Sequence, residues 1–318
     1  MSWVEVDLKA IIKNRRVFVV TVKTECPCLI PKISVDKRIS DRLGFFNFLL
    51  YQVIQGILKS SMRSLGIIPL ILISLFPLPS LGAPNNKMEM VTEGGKRCFV
   101  ANGIPDHPTG KFPNRGNPNA IREQQIKVCV SLKPLKGTTP SPIKGTMGIA
   151  INGIQFRPNT AGFWDPKAKH GHSRYGNKKW SLDIFGAPGR LGLDFNNGHV
   201  GRGGLYHYHG IANSLLGISG TSLVGYAGDG FEIHYLPEKK KSGWFLRQGA
   251  RPVGAPPGFY SGLFNEDYEY VGGKNKLDRC NGGSLNGKYA YFITDQYPFL
   301  PRCLYGKISP DFNRSRHR

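Results

Sequence analysis

The sequence lacks the local signatures that mark the common catalytic sites. It contains no Gly-x-Ser-x-Gly nucleophile elbow, no His-Glu-x-x-His zinc motif and no Gly-x-x-x-x-Gly-Lys-Ser/Thr phosphate loop. The glycine-rich segment GYAGDG (225–230) is not followed by a helical pattern, so it does not predict a dinucleotide site. Motif evidence for a serine hydrolase, a zincin or a P-loop nucleotidase is therefore absent.

Sustained helical periodicity is also missing, whereas glycine (40) and proline (23) are abundant for 318 residues. Short β-branched and aromatic runs recur between turn signals, which is typical of strands. The sequence predicts a mainly β protein, a single compact sandwich-like domain with long Gly/Pro-rich loops and two disulfides. The predicted strand regions are 97–104, 125–132, 146–154, 181–186, 204–211, 221–236 and 288–295.

Charge is missing from residues 65–82, LGIIPLILISLFPLPSLG, which follow Lys59 and Arg63 and end in small residues. This order is typical of a secretory signal peptide, and we assign it to residues 62–82. A transmembrane anchor is the alternative, but three prolines and the short length disfavour a spanning helix.

A signal peptide belongs at the start of a protein, yet 61 residues precede Met62. We interpret residues 1–61 as a mis-called N-terminal extension, with Met62 as the true start. The alternative is a second membrane-associated segment at residues 44–58. The folded domain is then expected over residues 83–318, and the protein is expected to be secreted or to reside in the periplasm or cell envelope.

Acidic residues are scarce, with 21 Asp and Glu against 43 Lys and Arg and a net charge of +22. Residues 83–318 keep this bias, with 32 basic and 16 acidic residues and a balance of +16. Such a charge favours anionic partners. Because the basic residues are scattered, a generally solvated basic surface is the favoured interpretation, and the partner is left unassigned. An anionic surface or a glycan is the alternative, and nucleic acid is disfavoured because an exported protein seldom meets DNA. Membrane contact is expected only through the signal segment, if it is retained.

No Cys-x-x-Cys pair occurs among residues 83–318, so a thiolate zinc site is disfavoured. The four cysteines there are an even number in an exported chain, which predicts two disulfides. Three connectivities are open. The pairing Cys98–Cys129 and Cys280–Cys303 closes the shortest loops and is the one we choose.

Two segments of the chain resemble each other. LDFNNGHVGRGGLYHYH (193–209) and LDRCNGGSLNGKYAYF (277–292) share Leu-Asp-x-x-Asn-Gly, a short turn and Tyr-x-Tyr, with one residue of gap. The shared residues predict an Asp/Asn-Gly turn feeding an aromatic strand. The histidines are not shared, which indicates that the scaffold folds without them. A match this short also arises by chance.

The segment GLYHYHG (204–210) carries the most specific chemistry. On a strand, residues two apart share a face, so His207 and His209 lie on one side and Tyr206 and Tyr208 on the other. Two neighbouring imidazoles can bind one metal ion, and neutral imidazole suits zinc and copper. The alternative is aromatic packing, with the ring nitrogens bonded to backbone carbonyls.

A third ligand must come from elsewhere in the chain. His199 is the nearest candidate, because it lies in the turn that leads into the strand. The carboxylate candidates are Asp194 and Asp229, and the glycines that flank Asp229 allow a close approach. Asp229 can instead bond its own turn. The predicted cofactor is therefore copper or zinc, with His207, His209, His199 and Asp229 as predicted ligands.

The other histidines give weaker signals. His170 and His172 form a second His-x-His, but the lysines around them oppose cation binding, so a surface pair is expected. His107 and His234 are expected to be structural.

At this point the motifs resemble a known family, the YHYH domain. YHYH (206–209) follows LDFNNGH (193–199) and precedes LVGYAGDGFEIHY (223–235), and YFITDQYPFLPRC (291–303) fits the closing pattern. The likeness covers about residues 97–305. It implies a single exported domain and gives weight to the three histidines and Asp229, but it assigns no activity. Family members often carry Cys at the position of Asn196, so a disulfide expected there is absent or rearranged.

Three functional hypotheses follow. The first is an exported protein with one His-rich copper or zinc site. The alternative is an envelope-surface binding module for an anionic or glycan ligand. A hydrolytic or oxidative enzyme that uses the metal ranks below simple metal binding, because the sequence indicates neither a substrate nor a general base.

Overall fold

The structure is a computed structural model, and it describes residues 4–12, 16–24, 85–187, 189–216 and 222–313. The chain divides into two compact units, residues 1–77 and 78–318. In the first unit, two strands pair antiparallel from Val4↔Thr24 to Ile12↔Arg16. The predicted signal peptide at residues 62–82 and the proposed start at Met62 lie outside the described residues.

The described elements are mostly short strands, as the turn-rich composition predicts. In chain order they are β1 (Val4–Ile12), β2 (Arg16–Thr24), β3 (Met88–Glu93), β4 (Lys96–Ala101), β5 (Ile126–Ser131), β6 (Ser141–Pro142), β7 (Gly148–Ala150), β8 (Gln155–Phe156), β9 (Phe163–Trp164), β10 (His172–Ser173), β11 (Asn177–Ser181), β12 (Gly198–Val200), β13 (Tyr206–Tyr208), β14 (Leu223–Ala227), β15 (Glu232–Tyr235), β16 (Trp244–Leu246), β17 (Tyr268–Tyr270), β18 (Gly282–Leu285), β19 (Lys288–Ile293) and β20 (Cys303–Leu304). Two 3₁₀ turns (Asn213–Leu215, Asn265–Asp267) and one short helix, α1 (Pro310–Asn313), complete the described set. Within that set, no helix is long and apolar enough to cross a membrane.

An eight-stranded sheet with the order β12-β13-β8-β7-β14-β15-β19-β18 forms the centre of the second unit. Each edge is an antiparallel hairpin, β12-β13 or β18-β19, and each hairpin runs parallel to its inner neighbour, β8 or β15. In the middle, β7 pairs antiparallel with β14, placing Gly148 opposite Ala227 and Ala150 opposite Gly225. The two halves of the sheet are therefore related by an approximate two-fold rotation.

Four smaller sheets surround this centre. β3, β4 and β5 form an antiparallel meander, β9 pairs with β10 and β11, β16 pairs with β17, and β6 pairs with β20. The mainly β expectation is thus confirmed. The predicted strand at 181–186 is wrong beyond Ser181, where β11 ends. Asp183 Oδ1 accepts hydrogen bonds from Phe185 N and Gly186 N, and this side-chain turn takes the place of a ladder.

The largest buried cluster lies on the aromatic face of the central sheet. It includes Tyr206 and Tyr208 from β13, Tyr291 from β19, Phe156 from β8 and Ile233 from β15. Burial of these large side chains on one face leaves the opposite face of β13 free to carry other residues.

Both chosen disulfides are present. Cys98–Cys129 joins residues that lie directly opposite each other on β4 and β5. Cys280–Cys303 ties the turn before β18 to β20. The shortest-loop pairing is therefore confirmed, and disulfides of this kind are typical of oxidising compartments.

Candidate metal centre

The candidate site lies on hairpin β12-β13 and is built from three histidines. His199 on β12 lies directly opposite His207 on β13, and His209 follows two residues after His207, immediately past the end of β13 at Tyr208. Directly opposed residues and residues two apart share a face of a sheet, so all three rings project to one side. The expected same-face pair is present, and His199 lies on a strand rather than in the turn before it.

The three rings converge on one point. Nε2 of His209 lies 3.1 Å from Nε2 of His199 and 3.1 Å from Nε2 of His207. The ring centroids are 4.7, 4.7 and 4.9 Å apart, which is close to an equilateral triangle. One donor atom from each ring lies within 4.8 Å of the others.

Backbone carbonyls orient two of the rings. Nδ1 of His199 lies 2.8 Å from the Leu191 carbonyl oxygen, and Nδ1 of His207 lies 3.1 Å from that of Leu205. A carbonyl only accepts, so each Nδ1 donates its hydrogen and each Nε2 keeps a lone pair. Nδ1 of His209 is buried and has no partner among the described residues, so packing and the two neighbouring rings orient that imidazole.

Burial keeps this cluster neutral. Desolvation lowers the pKa of His199, and it lowers the pKa values of His207 and His209 well below their ordinary range. The Arg157 guanidinium and the neighbouring imidazoles lower the pKa values of His207 and His209 further. Metal binding requires neutral imidazole, so the burial that disfavours protonation also prepares the ligand state.

The residues fit a small, borderline-soft cation. Three histidines are the protein ligands of one class of catalytic zinc site, and Zn–N bonds of about 2.0–2.1 Å in a tetrahedral arrangement place the nitrogens about 3.3 Å apart. The two Nε2–Nε2 separations of 3.1 Å, from His209 to His199 and to His207, are close to that value. Nδ1–H donation to a carbonyl is the usual outer contact of a metal-binding histidine.

Tyrosines anchor the other face of β13. Tyr206 donates its hydroxyl hydrogen to Asp194 Oδ2 at 2.7 Å, and burial raises the pKa of that tyrosine. The Tyr208 hydroxyl lies 2.9 Å from Asn152 Nδ2, which donates to it, and 2.6 Å from His107 Nε2. These bonds fix the strand in rotation about its axis and so fix the direction of the histidines.

The carboxylate candidates lie outside the histidine cluster. Asp229 Oδ2 accepts hydrogen bonds from the Tyr291 hydroxyl at 2.8 Å and from Gly306 N at 2.9 Å. Asp194 Oδ1 accepts from two backbone N–H groups of its own turn, those of Asn196 and Gly198. Both carboxylates therefore support aromatic strands instead of joining the three rings.

The remaining histidines lie elsewhere. His172 is the first residue of β10, and His170 precedes it by two residues. Their ring centroids are 6.4 Å apart, and neither is part of the three-ring cluster. His107 binds Tyr208, and His234 lies between Ser222 Oγ at 2.9 Å and Glu232 Oε2 at 3.0 Å. These contacts are those of structural side chains.

Two further residues on the histidine face come from β8 and the residue after it. Gln155 lies directly opposite His207 in the parallel ladder, and the Arg157 backbone N–H donates to the Tyr208 carbonyl at 2.9 Å. From the sequence, only the alternation of side chains along β8 could have predicted that Gln155 and Arg157 share a face. Their position beside the histidines depends on a parallel pairing that no local pattern indicates.

The site opens to a large cleft. The cleft has a volume of about 1670 Å³, and His199, His207, Gln155 and Arg157 line part of its wall. His209 is 2% exposed and lies behind the other two rings. A ligand in the cleft would therefore approach the histidine cluster from the side of His199 and His207.

The second half of the sheet repeats the scaffold of the site without its histidines. Asp278 Oδ1 accepts from Cys280 N and Gly282 N, and its Oδ2 accepts from the Tyr289 hydroxyl at 2.7 Å, as Asp194 does for its own turn and Tyr206. Gly283 lies opposite Ala290 as His199 lies opposite His207, and Phe292 stands at the position of His209. The resemblance of the two segments is therefore structural.

Asn196 stands at a position where the family resemblance of the sequence implies a cysteine. Its Nδ2 donates to the Pro108 carbonyl at 3.0 Å, and its Oδ1 accepts from Ser214 N at 3.1 Å. The matching residue of the second half is Cys280, which is bonded to Cys303. Hydrogen bonds thus hold the first turn, and a covalent bond holds the second.

A family model described as YHYH protein matches residues 127–306, which is more than half of the chain. The match contains the three histidines and both halves of the central sheet. Comparison with curated proteins and with solved structures gives no match.

Proposed function

The chain belongs to the YHYH protein family, and from this premise we propose that it is an exported protein that binds one copper or zinc ion through His199, His207 and His209. The observation that carries the proposal is the convergence of three neutral, buried or half-buried imidazoles on one point. Imidazole ligands of this kind suit zinc and copper. Asp229 is left out of the ligand set because its carboxylate is bonded to Tyr291 and Gly306.

Three observations support export. Residues 65–82 carry no charge and follow a basic segment, which is the pattern of a signal peptide. The domain contains two disulfides, Cys98–Cys129 and Cys280–Cys303. The proposed ligand set consists of histidines alone, so it needs no reduced thiol and is compatible with an oxidising compartment.

Metal content tests the proposal most directly. The full chain, purified without a chelator or an affinity tag, is expected to hold about one copper or zinc per molecule by mass spectrometry. Added Zn²⁺ or Cu²⁺ should raise the Tm of the metal-free protein, because an ion that binds only the folded state stabilises it by about 2.7 kcal/mol at 100 times the Kd.

The chain supplies a matched control for the variant. The double substitution His207→Ala, His209→Ala should abolish metal uptake, whereas His170→Ala, His172→Ala removes the same motif from the surface and should leave uptake intact. The proposal fails if wild-type protein contains no stoichiometric metal and added Zn²⁺ and Cu²⁺ leave its Tm unchanged.

A binding module for an anionic or glycan ligand is the second candidate function. The observation that favours it is the cleft beside the histidines, whose lining includes six basic residues and one acidic residue. The basic residues are Lys127, Lys144, Arg157, Arg174, Arg202 and Lys307, and the acidic residue is Asp311. Ligand binding that survives His207→Ala, His209→Ala would support a module that works without metal.

A further inference from the structure

Three half-buried arginines of the described residues differ in how their charge is balanced. The Arg251 side chain donates to both carboxylate oxygens of Asp267, at 2.6 and 2.7 Å. Arg302 donates to Asp183 at 2.8 Å. Arg157 has no carboxylate or other side-chain partner among the described residues, although burial lowers the pKa of its guanidinium. A partly desolvated charge without a counter-charge is costly, and a bound anion can supply the missing partner.

The two-fold relation of the sheet shows which partner is missing. Tyr208 lies opposite Phe156 in the first half, and Tyr291 lies opposite Ile233 in the second half. By this register Gln155 corresponds to Glu232, and Arg157 corresponds to His234. In the second half, Glu232 bonds His234 at 3.0 Å. In the first half, the carboxylate position holds the neutral amide of Gln155, whose Oε1 accepts from Thr146 Oγ1 at 2.6 Å. The built-in counter-charge is therefore absent where the histidines are present.

The position of Arg157 is suited to a ligand of the same site. Arg157 follows Gln155 by two residues on the face that carries His207, and it lines the cleft together with His199 and His207. After desolvation, its positive charge contributes to the lowered pKa values of all three histidines. A guanidinium is a planar fork that binds carboxylate and phosphate with two parallel hydrogen bonds. The rest of the lining reinforces the positive potential, with one carboxylate against five further cations.

We propose that Arg157 binds the oxyanion of an acidic ligand in this cleft, with the ligand held between the guanidinium and the metal of the three-histidine site. The inference rests on the proposed function for the metal and adds the class of ligand. A carboxylate of an acidic sugar and a phosphate group share the required chemistry, namely two or more oxygens that can accept from the guanidinium fork. Gln155 lies next to that position and adds an amide to the wall.

The test measures ligand binding separately from metal binding. Zinc-loaded full-length protein is titrated by calorimetry with glucuronate and, in a separate arm, with inorganic phosphate. Arg157→Gln should bind Zn²⁺ within about threefold of wild type and lose at least tenfold in affinity for whichever oxyanion the wild type binds. Arg157→Lys keeps the charge without the fork and should lose less.

Arg247→Gln is the charge-matched control, because Arg247 forms an exposed pair with Glu269 and is not part of the cleft lining. It should bind both anions as wild type does. Circular dichroism and Tm identify a variant that has failed to fold, and in that case Arg157→Lys decides the result.

The outcomes separate the two proposals. Binding of neither anion to zinc-loaded wild type, or equal binding to wild type and Arg157→Gln, overturns the inference while the metal site stands. If wild type takes up no metal, the proposed function fails. The same titrations on the metal-free protein then decide the inference, with Arg157-dependent binding supporting it and absence of binding overturning it.

Discussion

Hairpins β12-β13 and β18-β19 have the same register, the same aspartate-anchored turn and the same tyrosine-lined inner face. On the outer face, three histidines of the first hairpin correspond to Gly283, Ala290 and Phe292 of the second. The apolar members of the second set pack with Leu277 in a small cluster of their own. The comparison shows that the tyrosines and the aspartate carry the fold and that the histidines are an addition to it.

The inner strands likewise combine a shared scaffold with different side-chain chemistry in the two halves. Asn152 donates to the Tyr208 hydroxyl, and Asp229 accepts from the Tyr291 hydroxyl, so equivalent positions anchor equivalent tyrosines with different chemistry. Gly153 and Gly230 turn the chain at matching positions with φ of +83° and +97°. The two halves thus keep the same tyrosine anchors, and on the outer face the first carries three histidines where the second carries glycine, alanine and phenylalanine.

Removal of the shared aspartates should have the largest effect. Asp278→Ala deletes the hydrogen bonds that its carboxylate accepts from two backbone N–H groups and one tyrosine hydroxyl. Asp194→Ala deletes the equivalent three bonds and also the one from Gly110 N at 3.2 Å. We expect each to lower the free energy of unfolding by about 3–5 kcal/mol, measured by denaturant unfolding. Only Asp194→Ala should also weaken metal binding. A loss in one half with no loss in the other would show that the two scaffolds are not equivalent.

The contrast between Asn196 and Cys280 gives the next effect. Loss of Cys280–Cys303 through the double substitution to Ser should cost about 3 kcal/mol, because the bridge closes a loop between residues 23 apart. Asn196→Ala should cost only about 1–2 kcal/mol, since it removes hydrogen bonds alone. Unfolding curves under non-reducing conditions measure both, and equal losses would contradict the difference in anchoring.

The histidines can be converted to the residues of the second half. The variant His199→Gly, His207→Ala, His209→Phe should keep the circular dichroism spectrum and cooperative unfolding of wild type. It should lose the metal-dependent stabilisation, which is about 2.7 kcal/mol at 100 times the Kd. Thermal unfolding with and without Zn²⁺ measures the change. Loss of the folded state in the absence of metal would refute a scaffold that is independent of its histidines.

Asp229→Asn copies Asn152 into the second half and should have the smallest effect. Burial raises the pKa of Asp229, so the folded state keeps the proton to higher pH than the unfolded state. The contribution of Asp229 to the free energy of unfolding is fully present below its ordinary pKa of 3.8, and it is lost as the pH rises through the raised pKa. The Tm of Asp229→Asn relative to wild type should therefore increase between about pH 4 and pH 8.

The reverse substitution, Asn152→Asp, is the control for this pH dependence. It introduces a buried carboxylate next to Asp106, so its Tm relative to wild type should decrease over the same range. Parallel Tm profiles for all three proteins would show that Asp229 does not titrate differently in the folded and unfolded states.

Local pattern was enough to predict the strand that carries His207 and to place His209 on the same side, since alternation has a period of two. The strand itself ends at Tyr208, one residue before His209. Cysteine spacing was enough for the disulfides, because the correct pairs also close the shortest loops. His199 was correctly grouped with the pair, but its place on a strand opposite His207 depends on hairpin register and was missed. The sequence therefore predicted the members of the cluster better than their arrangement.

The two-fold relation was only half visible in the sequence. LDFNNG and LDRCNG share four of six residues, whereas GIAING (148–153) and GYAGDG (225–230) share only Gly, Ala and Gly at matched positions. The shared first glycine has a structural cause, because β7 and β14 pair so closely that a Cβ at Gly148 or Gly225 would meet a backbone oxygen. The spacing of glycine and alanine was therefore a signal that the sequence offered. Arg157 had no such signal, because its relation to the histidines arises from pairing between strands distant in the chain.

The pairing of β7 with β14 through equivalent residues has one more consequence. A contact in which residue i meets j and j meets i is isologous, the symmetry of a dimer made from two identical subunits. Here both subunits are joined in one polypeptide, so a substitution in one copy need not appear in the other. Two halves in one chain can therefore differ in sequence, which identical subunits of a homodimer cannot. One half carries the histidine cluster, and the other half keeps apolar packing at the equivalent positions.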